Sequence, residues 1–136
     1  MISEIGFEIK IQQPFERVLN EVIEALKREG FGVLTRIDVR ETLEERLGVD
    51  FRSYTILGAC NPPLALRALT EDAVSGLLLP CNVTVESDEF GGSIVRLANP
   101  EVMLAAGSFE NNLELKSVAR EARSKIERVA ESLIIR

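Results

Sequence analysis

From Leu115 to Leu133 apolar side chains return every three or four residues: Leu115, Val118, Ala119, Ala122, Ile126, Val129, Ala130 and Leu133. That spacing predicts one long amphipathic helix, capped near Asn111 or Asn112, with Glu114 in its first turn. The opposite face carries Glu114, Lys116, Glu121, Arg123, Lys125 and Glu127, a solvated surface whose charges pair among themselves. A helix with a single apolar stripe needs a surface to lay it on, and the upstream chain supplies a sheet. Phe7, Ile9 and Ile11 alternate with Glu8, Lys10 and Gln12, the period of a half-buried strand.

Punctuation residues divide the rest. Pro14 opens a helix whose apolar positions run from Phe15 to Leu26, and Gly30 stops it. A second strand is predicted over Phe31 to Ile37. Asp38 then caps a short helix, with Glu41 at the reciprocal capping position, Val39, Leu43 and Leu47 as its stripe and Gly48 as its stop. Phe51 to Cys60 reads as a third strand, and Asn61 caps a helix from Pro62 to about Asp72. Gly76 marks a return into a fourth strand, Leu77 to Glu86. Phe90-Gly91-Gly92 is a hairpin turn into a fifth, Ser93 to Leu97. A loop or short helical turn follows Pro100. The order is β-α-β-α-β-α-β-β-α with no linker, which predicts a single compact α+β domain over 1–136. Its sheet is expected to be antiparallel-rich and mixed, with helices on one face. A sheet covered on one side leaves the other for a partner, so a homodimer is expected.

Charge and residue inventory narrow the function classes. Sixteen basic and twenty-two acidic side chains give a net charge of -6, and the basic ones are interleaved with glutamates. That argues against a nucleic-acid binder, which needs a clustered positive surface. No apolar run is long enough to span a membrane, and the N-terminus alternates like a strand and not like a leader, so a cytoplasmic chain is expected. Histidine is absent. The usual acid–base group near neutral pH is therefore missing, and with it any serine or cysteine triad. Asp50 with Arg52, Glu86 with Asp88 and Glu89, and Glu110 with Asn111 and Asn112 read as solvated loop clusters. Whether the chain is an enzyme stays open.

Two sequence units point to a site. Cys60-Asn61 precedes Pro62-Pro63, and Cys81-Asn82 follows Pro80. In the first, Asn61 is placed to cap a helix, with Cys60 just outside its positive end, where a thiol is activated. The two prolines remove N–H donors, so that effect is partial. In the second, Pro80 implies an edge or an irregular strand start. Leu79, Cys81, Val83 and Val85 then share one face, and Asn82 points the other way. Two sulfurs without histidine fall short of the four ligands of a zinc site, so no metal is expected, the alternative being a dimer that pools four thiols.

Tyr54-Thr55-Ile56-Leu57-Gly58-Ala59-Cys60-Asn61-Pro62 and Gly76-Leu77-Leu78-Leu79-Pro80-Cys81-Asn82-Val83 resemble the DUF302 family of uncharacterised small proteins. The resemblance extends over nearly all of the chain. It implies a compact α+β domain similar to the TATA-binding-protein-like architecture, usually a homodimer, with no assigned activity; the cofactor is unknown. Cys60, Asn61, Cys81 and Asn82 match its signature positions, while Pro63 is a less typical neighbour. Three readings follow. The first is a homodimeric ligand-binding or regulatory module of unknown ligand, with a small-molecule site at Cys60, Asn61, Cys81 and Asn82. The second is a thiol-redox or thiol-transfer protein using Cys60 and Cys81. The third is a structural or interaction protein whose cysteines only pack.

Overall fold

The computed structural model describes residues 5–134. Strands β1 (Gly6–Ile11), β2 (Gly32–Asp38), β3 (Tyr54–Cys60), β4 (Cys81–Ser87) and β5 (Ser93–Ala98) form one sheet in the order β1-β5-β4-β3-β2. Every neighbouring pair is antiparallel, so the mixed sheet expected from the sequence is antiparallel throughout. Helices α1 (Phe15–Arg28) and α5 (Leu113–Ile134) pack on one face. All eight positions of the α5 stripe are buried. Asn112 starts that helix by accepting the Leu115 N–H at 3.0 Å. Leu57, Val85 and Val95 from the sheet are enclosed against Val18, Leu19 and Ile126. Each such side chain contributes about 1.5–3 kcal/mol of burial.

A second, smaller apolar cluster sits beside this core. It joins Leu64 and Ala68 of α3 (Pro62–Glu71), Leu104 after α4 (Pro100–Met103), and the N-terminal half of the α5 stripe. Arg67 ties α3 to α5 from outside, bonding Glu114 at 3.1 Å, Ser117 at 3.2 Å, and Glu121.

Two expectations are corrected. The fourth strand begins at Cys81 and not at Leu77, because residues 73–78 wind into a 3-10 turn. Asp72 caps that turn by accepting the Val74 N–H at 2.9 Å, and Pro80 has no N–H to give a ladder. The short helix α2 (Val39–Leu47) forms with its expected Asp38 cap and left-handed Gly48 stop, yet none of its residues is buried. Edge strand β2 is equally open: no residue from 32 to 50 is buried. Within β2 the register slips between Val33, opposite Ala59, and Thr35, opposite Gly58. Leu34 is thus the extra residue of a bulge, 68% exposed.

Candidate functional site

Asn61 is the best-anchored polar group in this part of the molecule. Its Oδ1 accepts the Leu64 N–H at 3.3 Å, the first free donor after Pro62 and Pro63. Its Nδ2 donates to the Glu29 carbonyl at 3.4 Å, at the far end of α1. The side chain is only 8% exposed, and both ends of its amide are occupied within the protein. Gly30 makes the approach possible: its φ is 84°, and a Cβ there would lie 3.0 Å from Nδ2.

The two cysteines come from adjacent strands. Cys81 opens β4 opposite Ala59, and Cys60 closes β3 opposite Gly32. Both contribute to the wall of one cavity of about 280 Å³, and so does Asn61. Asn82 does not. It lies opposite Gly58 in the ladder, is exposed, and is absent from the wall. Three of the four sequence-selected residues are therefore brought together and the fourth is turned away, as strand alternation requires.

The cavity occupies the seam between the two apolar clusters. Phe31 and Ala59 bound it on the sheet side, Leu64 and Ala68 on α3, and Val118 and Ala122 on α5. Leu34 and Leu69 belong to its wall and are themselves exposed, so they stand at its mouth. Among the described residues no charged side chain lines it. The small residues Ala59, Ala68 and Ala122 leave the space unfilled. Ala68 and Ala122 lie on the inner stripes of two helices, but their meeting at one point follows from how α3 packs against α5.

Burial pushes the Cys81 thiol up to about 11, and the neighbouring Cys60 adds to the effect. Among the described residues Cys60 is the only other titratable group in the wall. At neutral pH Cys81 is a neutral, weakly polar group, in keeping with its surroundings.

The carboxylates singled out from the sequence go elsewhere. Asp50 pairs with Arg40 at 3.3 Å, and Asp88 closes the hairpin by accepting N–H groups of Phe90 and Gly92. Glu86, 4% exposed, bonds both Arg52 and Arg96 across the uncovered sheet face. Burial alone would raise its pKa, but the hydrogen bonds from the two guanidinium groups outweigh it and hold the carboxyl below its ordinary range. Such a group stays ionised and is unsuited to act as a proton donor. Among the described residues no three metal-ligating side chains cluster, and no helix is long and apolar enough to cross a membrane.

Residues 7–133 match the family model described as a domain of unknown function, DUF302. The chain belongs to the DUF302 family. A crystal structure of an uncharacterised conserved DUF302 protein from Bacillus stearothermophilus is similar throughout. It is 30% identical with a TM-score of 0.80, and the likeness covers 96% of this chain and 97% of that one. No curated protein matches the chain. The fold expected from the Cys-Asn segments is thus a DUF302 fold, with an antiparallel sheet and helices on one face.

Proposed function

We propose that this DUF302 chain is a small homodimeric binding module whose ligand is a compact, uncharged, apolar molecule held between α3, α5 and the Cys60 and Cys81 ends of the sheet. The observation that carries this is the chemistry of the cavity wall. It is apolar and uncharged, the Asn61 amide is already bonded at both ends, and Cys81 is neutral at physiological pH. An ionic ligand would lose its hydration there without compensation. The volume also suits a ligand. Dry apolar cavities of about 150 Å³ accept a single benzene ring, and this one is about 280 Å³.

Asn61 and the two cysteines act as wall and support, and Asn82 has no ligand contact. The unburied β2–α2 segment supports the homodimer, since a strand and helix with no buried residue gain little from their own chain. The single-layer antiparallel sheet, open on one face, is also compatible with kinship to the TATA-binding-protein-like architecture. Two free thiols suit a cytoplasmic setting. The thiol-transfer alternative has less support, because an attacking sulfur must be a thiolate and burial keeps Cys81 protonated.

The test is titration with the uncharged fluorophore N-phenyl-1-naphthylamine, followed by thermal unfolding. Saturable one-to-one binding is expected, lost in an Ala68→Leu or Ala122→Leu variant that remains folded. Absence of saturable binding to the folded parent protein overturns the reading.

A further inference from the structure

Leu34 belongs to two surfaces at once. It lies in the cavity wall, and it is the bulged residue of a sheet edge on which no residue is buried. Among the described strands β2 has β3 as its one neighbour, so its outer row of backbone groups offers a template for another strand. Leu69, 44% exposed, adds apolar area at the same opening.

Charge selects the occupant. Arg36 lies opposite Leu57 and Asp38 opposite Thr55, two buried positions, so Arg36 and Asp38 share the helix-covered face of β2. An antiparallel pairing of β2 with itself about Ile37 sets Arg36 against Asp38 of the partner subunit, and the converse, giving two opposite-charge pairs. The neighbouring register that keeps faces matched, centred on Arg36, opposes Arg36 to itself and is disfavoured. Continued outward, the Ile37-centred register brings position 34 level with position 40 of the other copy, the start of its α2. That register sets α2 of the other copy beside the cavity mouth.

We infer that a second copy of this chain closes the mouth of the cavity with its β2–α2 segment, so that ligand binding and dimerisation strengthen each other. The inference rests on the ligand-binding reading above and adds its regulation: the site is complete only in the dimer. Coupling of this kind is reciprocal, so the factor by which ligand tightens the dimer equals the factor by which dimerisation tightens the ligand.

The experiment is sedimentation equilibrium of the full chain with and without saturating N-phenyl-1-naphthylamine, paired with probe titrations at several protein concentrations. The expected result is a dimer constant at least about fivefold tighter with probe, and a matching gain in probe affinity as protein concentration rises. Ile37→Asp and Arg36→Asp, both outside the cavity wall, are expected to weaken the dimer at least tenfold and probe affinity several-fold, with unchanged circular dichroism. A dimer constant indifferent to bound probe overturns the inference and leaves the cavity reading standing. So does a chain that stays monomeric while binding probe. No probe binding at any concentration overturns the cavity reading and this inference together.

Discussion

The two Cys-Asn units look alike in the sequence and differ in almost every physical respect in the fold. Asn61 is buried and joins three elements: the end of β3, the start of α3 and the end of α1. Asn82 is exposed on the uncovered side of the sheet. The cysteines differ too. Cys60 terminates a strand just outside a capped helix, whereas Cys81 begins one facing Ala59, with a thiol that burial keeps protonated. Identical dipeptides thus acquire different roles from the element that follows each: a helix after the first, a strand after the second.

The strongest way to break this comparison is at the contact between the units. Gly58 lies opposite Asn82, and a Cβ there would fall 2.1 Å from Thr35 Oγ1 and 2.8 Å from Pro80 Cγ. Gly58→Ala is expected to cost about 2–3 kcal/mol in urea unfolding, as overpacking does. A Thr35→Ala change in the same chain should recover part of that loss. No loss on Gly58→Ala would mean that the strand ends carrying the units are loosely held.

Next in size, Asn61→Ala removes a helix cap and the bond to Glu29, and about 1–2 kcal/mol of stability should go with them. A loss under about 0.5 kcal/mol would erase the distinction from Asn82.

The cysteines provide a pH test. The Cys81 thiol is raised in the folded state, so the neutral form is favoured there. Its stabilising contribution is complete below the unfolded thiol range and is lost as pH rises from about 9 to about 11. In a Cys60→Ala chain, alkylation of Cys81 by iodoacetamide should accelerate about tenfold per pH unit across neutral and mildly alkaline pH, since the thiolate is the reactive form. A plateau below pH 9 would contradict its burial.

The smallest effect is expected for Asn82→Ala, within about 0.5 kcal/mol of the parent and with unchanged probe affinity. A larger change would place Asn82 at an interface.

Much of the fold was legible because its signals are local. The α5 stripe, the Asn61 and Asp38 caps, and the Gly48 stop each depend on side chains a few residues apart. The start of β4 was not legible, because an apolar run from Leu77 reads as strand until Asp72 captures the Val74 N–H. The α2 stripe was read correctly as a pattern, but the pattern did not reveal that its own chain buries none of it fully. Of the cavity wall, the sequence singled out Cys60, Asn61 and Cys81. Ala68, Leu104 and Ala122 were missed, since an alanine on a helix stripe looks the same whether it packs or bounds a void.

By itself the sequence determined most of the helices and strands, the turn before β4 excepted, and that a single antiparallel-rich sheet is covered on one side. Periodicity and capping act over one or two turns, so one dimension suffices to record them. Only the tertiary structure decided that the two cysteines share one uncharged cavity and that Asn82 turns away from it. It also decided that Leu34 bulges to stand at the cavity mouth. Those outcomes depend on strand register and on how small residues from separate helices fail to fill a common space, which no single segment encodes.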